Sequence, residues 1–128
     1  LEKTKRLTNS YFLGVKSSNE IPDYLSSFDI HLVCYKADQH KEQLASPHKI
    51  MEYLGSGKII VSTYTDEYKD KRELLEMVEQ NKDFVAKFKS VLSNIDSLNS
   101  EKHQNLRKNF ATTHTYERQI QKIESYLI

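Results

Sequence analysis

The run KIIVST, residues 58–63, constrains the fold of this chain more than any other stretch. It is entered through Gly55-Ser56-Gly57, is rich in β-branched residues, and lacks the apolar–polar alternation of a strand with one wet face. Such a run predicts a central strand covered on both sides. Sheets of that kind are parallel, and parallel neighbours need long crossovers, so helices should alternate with strands along the chain.

The flanking sequence supplies those elements. FDIHLVCY (28–35) predicts a second strand, and the aromatic run NSYFL (9–13), closed by Gly14, predicts another. Between them NEIPDYLSS (19–27) offers Asn19 as a cap, Pro22 near the first turn, and Ile21, Tyr24, Leu25 and Phe28 at helical spacing. KADQHKEQL (36–44) is polar and aperiodic, which predicts a loop leaving the carboxyl end of the second strand. Ser46 can then accept a hydrogen bond from a free N–H, and Pro47 suits a first helical position, so a helix should start there. Gly55 and Gly57 end it. At about 100° per residue, Ile50, Met51 and Leu54 gather on one side of it, whereas Lys49, Glu52, Tyr53 and Ser56 gather on the other.

Further on, ELLEMVEQ (73–80) could be helical, but a short edge strand at Leu75–Val78 followed by a helix over KDFVAKFKSVLSN (82–94), with Phe84 and Phe88 in the core, fits the alternating order better. EKHQNLRKNFA (101–111) and YERQIQKIESYL (116–127) predict two terminal helices, with Leu106 and Phe110 on the apolar side of the first and Ile120, Ile123 and Leu127 on that of the second. The expected architecture is α/β: a Rossmann-like parallel sheet of about four strands with helices on both faces, in one domain over residues 1–128. Starting on Leu1 rather than methionine, and reaching a strand-like segment within ten residues, the chain reads as a piece of a longer protein.

Charge narrows the partners. The 19 basic and 18 acidic residues nearly cancel, so nothing recommends nucleic acid or an anionic membrane as the main partner. No apolar run approaches the roughly 20 residues of a membrane span. Cys34 stands alone, which fits a reducing compartment and predicts a cytoplasmic location. Being apolar-flanked within a strand, it is expected to be a buried core thiol. His31, His40, His48, His103 and His114 are scattered without metal-ligand spacing, so no metal is assigned.

In open parallel sheets ligands bind beyond the carboxyl ends of the strands, where the 36–44 loop feeds the Ser46 helix. Free N–H groups at residues 48 and 49 and the positive end of the helix dipole favour an anion. Lys49 in the first turn opposes the dipole, and an anionic ligand would reverse that cost. Glu52, three residues on, can accept two hydroxyl hydrogen bonds from a ribose. A nucleoside diphosphate fits this spacing. The bland alternative is a common Ser-Pro helix start bearing a solvated i,i+3 Lys–Glu pair.

SPHKIMEYLGSGKIIVST resembles the signature of the nucleotide-sugar-binding C-terminal domain of GT-B glycosyltransferases, especially group 1 enzymes, in which a Ser-Pro-x-Lys-x-x-Glu-Tyr-Leu-x-x-Gly-Lys pattern recurs. YFLGVKSSNEIPDYLSSFDIHLVCY is similar to the segment preceding that signature. The resemblance implies a partial GT-B C-terminal domain whose substrate is a nucleotide-diphosphate sugar, with no separate cofactor. It implies that Ser46, Pro47, His48 and Lys49 face the diphosphate, that Lys49 stabilises it as it leaves, and that Glu52 binds the donor ribose. An earlier family glutamate is replaced by Leu44, with Glu42 out of register, so retaining or inverting chemistry does not follow. A glycan or lipid-linked acceptor would bind a separate N-terminal domain, and the full-length protein is compatible with peripheral membrane association. This piece alone is expected to transfer no sugar. A noncatalytic α/β interaction domain and a GT-B-type nucleotide-sugar epimerase are the competing expectations.

Overall fold

The computed structural model describes residues 2–36 and 48–127. In chain order the elements are α1 (Glu2–Lys5), α2 (Ile21–Ser27), β1 (Ile30–Val33), α3 (His48–Ser56), β2 (Ile59–Ser62), a 3-10 turn (Asp66–Tyr68), β3 (Glu76–Met77), a second 3-10 turn (Asn81–Asp83), α4 (Phe84–Ser93), α5 (Ile95–Leu98), α6 (Glu101–Thr113) and α7 (Tyr116–Tyr126). No helix among these residues is long and apolar enough to cross a membrane.

The sheet is parallel throughout, in the order β1-β2-β3. Ile30 pairs with Ile59 and Val33 with Ser62, while Val61 pairs with Glu76. All four residues of β2 are buried, as the KIIVST run predicted. Its side chains divide between two cores. Ile60 joins Val33, Ile50, Leu54, Tyr68, Leu74, Leu75 and Met77, with Phe110 and Ala111 of α6 against them. Ile59 and Val61 face the other way, onto Val91 of α4, with Phe84, Phe88, Ile95 and Leu98 around it. Helices therefore cover both faces. Burying Ile50 and Leu54 completely contributes about 1.5–3 kcal/mol each.

Three expectations change. The sheet has three strands among the described residues, not four: residues 10–17 have no regular structure, and Tyr11 is 83% exposed. Apolar composition favours a strand only where a neighbour takes its N–H and C=O groups, and here none does. Cys34 is exposed rather than buried, because it follows the last residue of β1 and side chains alternate in direction along a strand. Asn19 does not cap α2. Glu20 holds that turn instead, its carboxylate accepting from the Ser17 N–H at 3.0 Å and the Ser17 hydroxyl at 2.8 Å, and these bonds lower its pKa.

The amino ends of the strands are tied by two side chains. Asn99 accepts from the Ile59 N–H through Oδ1 (3.2 Å) and donates through Nδ2 to the Asp29 carbonyl (3.0 Å), bridging β1 and β2. Arg107 of α6, only 2% exposed, donates to three carbonyls: Nη1 to Gly57 (2.9 Å), Nη2 to Leu98 (2.8 Å) and Nε to Leu74 (3.2 Å). Burial pulls its pKa down, and the charge of Glu76 pushes back. Gly57 is required at its position. It has φ +76°, and a Cβ there would lie 2.7 Å from Cε of Lys108 and 3.1 Å from the Gln104 carbonyl.

Arg107→Met should strand three carbonyl acceptors. At about 1–3 kcal/mol each, offset by relief of the buried charge, the net loss is about 2–5 kcal/mol in urea denaturation. Arg107→Lys keeps the charge but cannot span three acceptors, so it should recover little of that loss. A lysine variant as stable as the parent would show that charge, not the planar fork, holds these segments.

Candidate functional site

Helix α3 is gripped on two flanks, and this decides which of its residues remain outside. Ile50 and Leu54 anchor one flank against Phe110 and Ala111. The other flank is not the polar face that helical spacing predicted. Tyr53 stacks on His31 of β1, ring centroids 4.5 Å apart and 20° from parallel, and Ser56 is buried beside it.

The hydrogen bonds there fix the imidazole. Ser56 Oγ donates to the Tyr53 carbonyl at 2.6 Å, so its only proton is committed. His31 Nε2, 3.1 Å away, therefore acts as the donor to Ser56 Oγ, which also accepts from the Lys58 N–H at 3.2 Å. Burial lowers the His31 pKa, a hydrogen bond to the Leu25 backbone opposes this, and the charge of Lys58 reinforces it.

What remains outside is a ridge carrying His48, Lys49 and Glu52, all exposed. No acidic residue occupies the first turn of α3, so its dipole is uncompensated from within the helix. Glu52 stands between two grooves. On one side a groove of about 350 Å³ runs between α3 and α2, with Ile21, Pro22, Leu25 and Gly55 in its walls. On the other side a groove of about 700 Å³ is bounded by His48, Met51 and Glu52 of α3, by Glu67 and Tyr68 after the carboxyl end of β2, and by His114 and Tyr116 where α6 meets α7. Lys49 borders neither of these two grooves. Ser46 and Pro47 lie outside the described residues, as do Glu42 and Leu44.

The carboxyl ends of the strands are laced together. The Thr63 N–H donates to the Val33 carbonyl (2.9 Å), the Val78 N–H to that of Ser62 (3.0 Å), and Asn81 Nδ2 to that of Tyr35 (2.9 Å). Burial and the charge of Glu67 push the Tyr68 phenol up to about 12, so it is a neutral donor at physiological pH. His114 is stacked on Phe110 at 3.9 Å, with Nδ1 2.8 Å from the Phe110 carbonyl.

Glu67, Tyr68, His114 and Tyr116 were not singled out from the sequence. The rule that ligands bind past the carboxyl ends of strands could have drawn attention to TDEY after KIIVST. His114 and Tyr116 gave no signal, because only the packing of α6 on α3 brings them near.

No protein-family model matches the chain, and no solved structure does. The chain is similar to a protein of Bacillus subtilis (strain 168) named "Putative teichuronic acid biosynthesis glycosyltransferase TuaH", being 29% identical to it over 125 residues. That alignment covers 94% of this chain and 30% of the length of the relative.

The seat of α3 should respond to pH in a defined direction. The folded pKa of His31 lies below its unfolded value, so the unfolded chain binds the proton more readily, and this contribution to stability is complete above about pH 6.5 and lost as pH falls through the folded value. His31→Gln keeps a donor but cannot titrate. The stability advantage of the parent over this variant should therefore shrink from pH 7.5 to pH 5 in urea melts, and a constant difference would remove the assignment.

Proposed function

We propose that this chain is the distal part of the nucleotide-sugar-binding domain of a glycosyltransferase, whose full-length form transfers a sugar from a nucleotide diphosphate to an acceptor. Similarity to a protein named as a glycosyltransferase supports the reaction class. The parallel sheet with helices on both faces agrees with a Rossmann-like donor-binding domain of the GT-B, group 1 type. The observation that carries the reading is the ridge of α3, which leaves Glu52 exposed between two grooves and no acidic residue in the first turn.

On this reading the carboxylate of Glu52 accepts the two ribose hydroxyls, with the nucleoside lying toward α2. The diphosphate lies over the amino end of α3, near Ser46, Pro47 and His48, and Lys49 reaches it. As the bond to the sugar breaks, negative charge accumulates on the diphosphate. Backbone N–H groups already aimed at that place stabilise the charge without reorganising, and Lys49 adds a charge-assisted hydrogen bond. The reaction needs no cofactor beyond its nucleotide-sugar substrate. A glycan or lipid-linked acceptor would be held by a separate N-terminal domain, in a cytoplasmic protein that can also sit at the membrane surface.

Nucleoside diphosphates should produce saturable chemical-shift changes centred on α3. Glu52→Ala and Lys49→Ala should each weaken binding about tenfold, the loss of one hydrogen bond to a charged group, with the fold intact because both side chains are exposed. Failure of uridine, guanosine and adenosine diphosphates to bind at millimolar concentration would overturn the proposal.

A further inference from the structure

Two apolar surfaces of the described structure are left uncovered, on opposite faces of the sheet. The first is on α7. Tyr116, Ile120, Ile123 and Leu127 recur at spacings of four, three and four, which gathers them on one stripe, and they are 53–79% exposed. No residue of α7 is buried. Helices this short are marginal in water unless an apolar face is packed, so the stripe calls for a partner. At 3.6 residues per turn, Glu117 and Glu124 border it on one side, and Gln119 and Tyr126 on the other.

The second surface is a shelf beside α4. Ile30 and Leu32 point to the face of the sheet that carries α4, since Ile30 packs there and side chains alternate along β1. Yet α4 lies over β2, and Leu32 is left 47% exposed. Lys87 of α4 meets Glu76 of β3 at 3.5 Å, which turns that side of the helix toward β3. Val85 and Leu92 occupy the opposite side, toward β1, and are 64% and 48% exposed. Leu32 is thus the floor of the shelf, Val85 and Leu92 are its wall, and exposed Lys89 stands at its rim. A parallel sheet normally fills such a position with a helix.

Charge and position select what covers both surfaces. Two α7 helices packed antiparallel would bring their glutamate flanks together, a like-charge contact, and packed parallel would set those glutamates against uncharged residues. An anionic membrane suits a helix whose apolar stripe is bordered by lysine or arginine, the reverse of this one. The shelf, rimmed by Lys89, supplies the missing cation. Within one chain the two do not meet: α7 leaves α6 on the face that carries α3, with Tyr116 and Gln119 beside His48 and Met51, whereas the shelf is on the α4 face.

We propose that α7 of one copy docks on the shelf of a second copy, with Ile120 and Ile123 against Leu32, Val85 and Leu92, and with Glu117 or Glu124 beside Lys89. The exchange is reciprocal. A one-way contact would leave a free stripe and a free shelf at the ends and continue into a filament, whereas a twofold dimer closes and doubles the buried area, toward the about 1,200–2,000 Å² of a specific interface. Nothing in this contact depends on nucleotide binding.

Light scattering and sedimentation equilibrium of the chain, from about 1 μM to about 1 mM, test the contact. A monomer–dimer equilibrium is expected. Ile120→Ser with Ile123→Ser, and Leu32→Ser with Leu92→Ser, should each weaken it at least about tenfold, and all four side chains are exposed in the single chain, so the cores stay intact. Lys89→Glu should weaken the dimer about fivefold, as should Glu117→Lys with Glu124→Lys, and joining the three charge reversals should restore the parental affinity, a rescue that damage to the fold would not give. A monomer across the whole range, a dimer indifferent to the Leu32 and Leu92 changes, or charge reversals that do not rescue one another would overturn the proposal. Binding of α7 to phosphatidylcholine–phosphatidylglycerol vesicles in place of dimerisation would do the same.

Discussion

The structure depends on one guanidinium group. Arg107 reaches inward from α6 and is shared among the turn that follows α3, the segment that precedes β3 and the end of α5. None of these segments could satisfy its carbonyl from within its own element, since each lies where a helix stops or a strand has yet to begin. A lysine offers donors from a single point, and a hydrophobic residue offers none. The planar fork of arginine holds three separate acceptors in fixed relative positions. With Asn99 pinning β1 to β2 next to it, the amino edge of the sheet is closed by side chains from the last third of the chain.

That closure gives the molecule a polarity. The amino edge spends its donors and acceptors internally, whereas at the carboxyl edge the ridge of α3 is left with exposed side chains and grooves on both sides. Gly57 joins the two ends. Only a residue without a side chain lets the chain turn from α3 into β2 directly beneath α6, and that turn also presents its carbonyl to Arg107. Stability at one edge and the geometry of the candidate site at the other are parts of a single mechanical arrangement.

Local sequence carried the elements that depend on local physics. KIIVST reads as a doubly covered strand because β-branched residues without alternation have few other uses, and Gly57 before it marks the helix end, whereas Gly55, expected to share that role, lies inside α3. The terminal helices followed from their spacing alone. What could not be read depended on a partner distant in the chain. Tyr53 and Ser56 look polar on a helical wheel, yet His31 offers a ring to stack on and a donor to accept, so that flank is buried. Arg107 sits in a charged, unremarkable stretch and becomes central only because three carbonyls converge on it. Residues 9–13 failed in the opposite sense, having strand composition but no neighbouring edge in the described structure. Of the residues lining the larger groove, Glu52 and His48 were named from the helix start, while Glu67, Tyr68, His114 and Tyr116 required the fold.

The two grips on α3 differ in kind, and this bears on how the ridge could work. The flank toward α6 is apolar and insensitive to conditions, because burial of Ile50 and Leu54 involves no proton. The flank toward β1 is a polar stack in which burial lowers the pKa of the central imidazole. A helix clamped on both sides cannot rotate, so the angle between Glu52 and the amino end of α3 is set before any ligand arrives. Preorganisation of this sort matters most when the groups to be bound differ in chemistry along their length, because each must meet its own surface at once.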